Sequence, residues 1–228
     1  MSTTATLKPE TATAAASTAS PATPSLTHEL FVHHMKAMAV HYKAGAVTGA
    51  THVYALPVSI LHTVDFEGML HVAPPPTGAG KQQVDKVLTD GQHKLKAFSQ
   101  AQATYVNQQT QKLQGNHDTA SFAAQMNAQR EKAKQQADQQ IDDTYNNLIK
   151  VGTAHPEMQQ HILSATQKLG AFITSLLSSV AAFFANIVHK ILGWINSAVD
   201  WVKGAAATVA NWVAGAAKSI GDFFGSIF

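Results

Sequence analysis

Residues 169–228 read LGAFITSLLSSVAAFFANIVHKILGWINSAVDWVKGAAATVANWVAGAAKSIGDFFGSIF, and positions eleven apart share a character. Leu169, Val180, Ile191, Val202, Val213 and Phe224 are all apolar, as are Leu176, Ile187, Ala198, Val209 and Ile220. Ser178, His189, Asp200, Asn211 and Asp222 are all polar, and Gly193, Gly204 and Gly215 recur at the same interval. Eleven residues make three helical turns at about 3.67 residues each, so the apolar stripe hardly rotates along a straight helix. The stripe comprises Leu169, Ile173, Leu176, Val180, Phe183, Phe184, Ile187, Ile191, Trp194, Trp201, Val202, Val209, Trp212, Val213, Ile220, Phe223, Phe224 and Ile227. From Leu169 to Val188 no residue carries a formal charge, a run long enough to cross a bilayer. Yet Thr174, Ser175, Ser178, Ser179 and Asn186 fall on one side of the wheel. A single lipid-spanning helix has no need to sort polar residues in this way, whereas an amphipathic helix does.

Sixty helical residues span about 90 Å. A stripe roughly 10 Å wide then exposes on the order of 900 Å², against the few hundred that soluble monomers tolerate. Three covers fit. The segment can break at Gly193 or Gly204 and fold back on the chain's own helices. It can lie on or in a bilayer with its tryptophans at the interface. It can also zip against further copies of the chain.

The alanine- and glycine-rich, weakly charged repeat resembles the lipid-surface helices of synucleins, perilipins and apolipoproteins. Its lysines (Lys168, Lys190, Lys203 and Lys218) are fewer than in those helices. The run Trp194-Ile195-Asn196-Ser197-Ala198-Val199-Asp200-Trp201 is similar to segments of phage tail tape-measure proteins. A long helical hairpin followed by an uncharged segment resembles α-helical pore-forming toxins. These resemblances imply a membrane-binding, membrane-perturbing protein, toxin-like or translocator-like, with the bilayer and further copies of itself as partners. The alternative is a structural protein that self-assembles through its helical stripes.

Working upstream, residues 81–114 and 118–151 read as two long polar helices. One carries Val84, Leu88, Leu95, Phe98, Tyr105 and Leu113, the other Phe122, Met126, Ala133, Ala137, Ile141, Tyr145 and Leu148. Gly115-Asn116 supplies a stop and Asp118 a new N-cap, so the two form an antiparallel hairpin with glutamine-rich outer faces. Residues 28–48 read as a helix carrying Leu30, Val32, Met35, Met38, Ala39 and Tyr42. Val58, Ile60, His62, Val64 and Phe66 alternate with their neighbours, and Glu67-Gly68 precedes Met69-Leu70-His71-Val72; this pattern predicts a β-hairpin. Residues 1–27 are almost wholly Ser, Thr, Ala and Pro, and predict a disordered leader without the apolar core of a secretory signal peptide. Its composition is similar to the starts of proteins exported without a signal peptide.

The expected class is therefore mostly α: a long antiparallel helical hairpin plus extended amphipathic C-terminal helices, with a small β-hairpin in the N-terminal third. The expected divisions are 1–27, 28–78, 79–152 and 153–228.

Composition narrows the chemistry. In 228 residues, 16 basic and 14 acidic side chains leave a net charge of +2, and Arg130 is the sole arginine. That balance gives no electrostatic drive toward nucleic acid. With no cysteine there is no thiol catalysis and no thiolate-ligated metal. Gly78-Ala79-Gly80-Lys81 lacks the rest of a phosphate loop, with Gln82 where Ser or Thr would follow the lysine. Asp142-Asp143 reads as a solvated helix face, and no nucleophile elbow is present. We expect no enzyme activity, no small-molecule substrate and no cofactor. Seven of the twelve histidines lie between residues 28 and 71, without the paired spacing of metal ligands. Imidazoles titrate near physiological pH, and full protonation would raise the charge from +2 to as much as +14. His33, His34, His41, His161 and His189 are the candidate pH sensors.

Overall fold

A computed structural model of the chain describes residues 26–48, 53–56, 77–195 and 201–226. Five helices account for almost all of it: α1 (His28–Thr48), α2 (Ala79–Asn116), α3 (Thr119–Ala154), α4 (Gln159–Ile195) and α5 (Trp201–Gly225). A single 3-10 turn, Pro156–Met158, joins α3 to α4.

Local chemistry sets the ends. Thr27 opens α1, its hydroxyl accepting from the Leu30 N–H. α2 closes on His117, which takes the left-handed conformation (φ 54°) and donates its N–H to the Leu113 carbonyl. Asp118 caps α3 by accepting from the Ser121 N–H at 2.9 Å, the role its position suggested. Val151 accepts from the His155 N–H, and Pro156 then starts the 3-10 turn where its missing donor costs nothing.

α2, α3, α4 and α5 run alternately up and down in a ring, each packed on the next, with α5 returning to α2. This is up-down-up-down four-helix-bundle topology. α1 lies outside the ring in the groove between α3 and α4. The core runs from Phe31, Met35 and Tyr42 of α1 through Leu88, Val106 and Leu113 of α2 and Met126, Ile141 and Leu148 of α3. It continues through Ile162, Ile173, Phe184 and Ile191 of α4 into Val209, Ile220 and Phe224 of α5.

Two expectations need correction. The fold class is all-α: the described residues are 93% helical and contain no strand, so a class that includes a β-hairpin is not supported. The predicted hairpin (58–72) itself lies outside the described residues. Alternation over a few residues is a short-range signal, and an isolated pair of strands is marginal in water. The buried stripe of α1 follows its expected line at Met35, Met38, Ala39 and Tyr42 and departs from it only in the first turns. Phe31 and His34 are inside, while Leu30 is 44% exposed.

Candidate functional site

The information-rich C-terminal segment folds as a second helical hairpin, α4–α5. α4 ends at Ile195 and α5 begins at Trp201, with Gly193 and Gly204 close to those ends. Leu169, Ile173, Leu176, Val180, Phe183, Phe184, Ile187 and Ile191 of α4 are buried, as are Val209, Ile220 and Phe224 of α5. Trp201, Val202, Trp212, Val213 and Phe223 are half-buried. Ile227 and the Trp194 side chain lie outside the described residues. The stripe therefore faces the chain's own helices in this conformation, the fold-back cover among the three.

Two aromatic stacks clamp α4 to α5. Phe172 lies on Phe223 with centroids 4.2 Å apart and rings 5° from parallel. Phe183 lies on Trp212 at 4.3 Å, and the Trp212 indole donates to the Ser179 hydroxyl at 3.3 Å. Between the stacks Ser175, Ser179, Gly215 and Ser219 line an open groove of about 310 Å³.

The outer faces of this hairpin are unusual for a water-soluble bundle. A helix that is apolar inside ordinarily carries charge outside. α4 instead exposes Ala181, Ala182 and Ala185, and α5 exposes Ala206, Ala207, Ala210, Ala214 and Ala217. From Leu169 to Phe228 there are five charged side chains, against sixteen from Ala79 to Ala154. The helical stretch Pro156–Gly193 reaches a mean hydropathy of 1.9 over 18 residues, although only 44% of those residues are buried. Its apolarity is thus not confined to the face that the core requires.

The α2–α3 hairpin is the opposite. Gln102 is buried at its interface, accepting from the Gln129 amide at 2.9 Å and donating to Gln136 at 3.4 Å. Gln109, Thr110 and Ser99 are buried on the same helix.

Three of the five candidate pH sensors gather around Tyr54. His34 is buried, and its Nδ1 stands 3.5 Å from the Tyr54 hydroxyl. His33 packs edge-on against His34 at 5.3 Å, and His41 meets the Tyr54 ring at 5.5 Å. Burial, then neighbouring His33, holds the His34 imidazole below its ordinary value. His161 lies apart, half-buried on α4; burial lowers it first, Asp85 opposes, and Lys81 and Lys168 lower it further. His189 is exposed on α4.

Sequence periodicity missed what Tyr54 does. Its N–H points at the Tyr42 hydroxyl (3.3 Å), and its carbonyl accepts from the Gln167 side chain at 2.6 Å. The Tyr42 hydroxyl in turn donates to the Gln167 carbonyl at 2.9 Å. Residues 53–56 are thereby clasped across α1 and α4. Beneath lies Gly170, where any side chain would run into the Tyr42 ring. A lone tyrosine between helices carries no periodic signal, so only the pairing of Tyr42 with Gly170 in space reveals the clasp. No protein-family model, no curated protein and no solved structure matches this chain.

Proposed function

We propose that this protein binds and perturbs lipid bilayers through α4–α5, and that the bundle is the water-soluble form that shelters this hairpin. One observation carries the reading: α4–α5 is apolar on its inner face and nearly uncharged on its outer face. Leaving the bundle for hydrocarbon would not strip water from many charges. Each large apolar side chain contributes about 1.5–3 kcal/mol when withdrawn from water, so eleven buried ones represent roughly 15–30 kcal/mol. Lipid restores that quantity, whereas release into water forfeits it. The α2–α3 hairpin, with its glutamine interface and charged surface, suits the aqueous side. The serine and asparagine line of α4 would still need covering inside a membrane, which favours assembly with further copies of the chain.

The bundle dictates how to test this. Aspartate at Val180, Ile187 or Ile191 would unfold the protein as well as repel lipid, because all three are core residues. The outer alanines separate the two effects. Ala182→Asp with Ala185→Asp leaves the core intact, and surface changes of this kind usually shift stability by no more than about 0.5 kcal/mol. In the middle of a bilayer each aspartate costs about 2.5–3.5 kcal/mol. Wild-type protein is expected to float with vesicles and release a trapped dye. The double variant is expected to keep its thermal midpoint and lose both properties. Wild-type protein that neither floats nor releases dye refutes the reading, and large lipid-free assemblies in that case favour self-assembly.

A further inference from the structure

The clasp sits at a telling place. Tyr54 bridges α1 to Gln167, three residues before Gly170, and the uncharged run of α4 begins at Leu169. The Tyr42 ring covers Gly170, and Thr174 donates to the Tyr42 carbonyl at 3.4 Å. While the clasp is closed, α1 is fastened over the first turns of that run.

The clasp is also lined by bases. On α1 the titratable and charged groups around Tyr54 are His33, His34 and His41, with Lys36 and Lys43 on the same helix. α4 carries Lys168 one residue beyond Gln167, while His161 stands apart from the clasp against Lys81 and Asp85 of α2. The carboxylates on the α3 side are Asp142, held by Lys43 at 2.7 Å, and Asp138, which also lies under the field of Lys43. Burial raises the Asp138 carboxyl above its ordinary range, with Lys43 and Lys134 opposing.

We propose that the Tyr54 clasp is an acid-operated latch: protonation of the histidines packed on Tyr54 releases residues 53–56 and α1 from α4 and bares the start of its uncharged run. The step is a proton equilibrium. At neutral pH the His34 ring is uncharged, and an Nδ1 without a proton can accept from the Tyr54 hydroxyl. A second ring proton removes that acceptor and places a cation in a buried site beside His33. Opening returns the ring to water.

The sign follows from linkage. His34 binds a proton less readily in the closed state than in the open chain. Closure is therefore unaffected at high pH and weakens as pH falls through about 6.5, until the closed-state ring also protonates. His34 makes the opening constant rise by up to about tenfold per pH unit in that window.

The biological consequence rests on the membrane reading, but the latch is tested without lipid on the full chain. Hydrogen exchange of α1 and residues 53–56, corrected for intrinsic rates, is measured from pH 7.5 to 5 alongside the ring resonances of the histidines. Protection in α1 is expected to fall as pH drops, with His34 titrating below free imidazole. His34→Gln is expected to flatten the profile, and Gln167→Ala to weaken protection of α1 even at pH 7.5. Constant protection in wild type, or an unchanged slope in His34→Gln, overturns the latch. Should His34→Gln not fold, the wild-type ring decides: titration at the free value with α1 still protected overturns the proposal. Dye release at each pH then tests the membrane reading separately, since a latch that opens without any leakage leaves the latch standing and removes that reading.

Discussion

One substitution, glycine to alanine inside a helix, should have opposite signs at two positions of this hairpin. Alanine is favoured over glycine in a helix interior by about 1 kcal/mol. At Gly215, on the exposed face of α5, an added Cβ meets nothing within 4 Å. Gly215→Ala should therefore gain up to about 1 kcal/mol, or about 2–4 °C in thermal midpoint for a chain of this size. At Gly170 the same Cβ would overlap the Tyr42 ring and stand 2.6 Å from the Tyr145 hydroxyl. Neither neighbour yields readily. The Tyr42 hydroxyl is tied to the Gln167 carbonyl at 2.9 Å, and that of Tyr145 to the Thr166 carbonyl at 3.0 Å. Overpacking costs about 1–3 kcal/mol, and two tethered rings place this case at the top of that range. Subtracting the helix gain leaves a net loss of about 2 kcal/mol, or about 4–8 °C. Circular dichroism melts of the two variants beside wild type decide the matter. A neutral or stabilising Gly170→Ala would mean that Tyr42 does not rest on Gly170 in solution. A destabilising Gly215→Ala would mean that the outer face of α5 is covered by something in solution.

Alkali should open the same region. Burial, and then neighbouring Tyr42, holds the Tyr145 phenol well above its ordinary 10, and burial raises Tyr42 against the bond from the Tyr54 N–H. The stability these protonated phenols contribute is complete below pH 10 and is lost as pH rises past it, by up to about tenfold in the folding constant per pH unit per tyrosine. Tyr145→Phe should make that decline shallower in melts above pH 10, and an unchanged slope would show that the ring is open to water. At the α2–α3 interface, Gln102→Leu should stay within about 1 kcal/mol of wild type, because its half-exposed partners Gln129 and Gln136 can turn to water. Gln102→Ala should lose about 2 kcal/mol by leaving a cavity, and equal losses in urea titrations of the two variants would assign the role to the amide bonds instead of to packing.

How much of this was legible in the sequence depends on whether the signal was periodic. The α2–α3 hairpin could be read because its stop and cap are adjacent residues, Gly115 through Asp118, and its stripes repeat at helical spacing. The C-terminal stripe could be read for the same reason, down to the polar line through Ser175 and Asn186, both exposed. Coverage of the stripe was not legible. Counting only large apolar residues on α2 and α3 suggests too little surface to bury it, yet it is buried. Ala133 and Ala137 of the expected stripe, and Ala103 outside it, are all buried. Small residues let helix axes approach, so fewer large side chains fill the space between them. The count overlooks α1, whose contribution depends on pairs far apart in sequence, such as Phe31 against Gly152 and Tyr42 against Gly170. A glycine in a helical stripe reads as a weakness until the ring that occupies its place is known.

That same asymmetry bears on the proposal that the hairpin serves in two environments. In the bundle, the inner face of α4–α5 is held by shape: stacked rings at Phe172–Phe223 and Phe183–Trp212, and Gly170 under the Tyr42 ring. Such contacts specify one partner surface. The outer face is mostly alanine, serine and glycine, with five charged side chains in sixty residues. A soluble protein under selection for solubility alone gains from adding charge there, since surface charge costs almost nothing in stability. Its sparseness is the ground for proposing a second, apolar environment. The two readings of that environment separate at the same residues: aspartate at Ala182 and Ala185 blocks entry into hydrocarbon, whereas a water-exposed filament seam that leaves those alanines free would tolerate it.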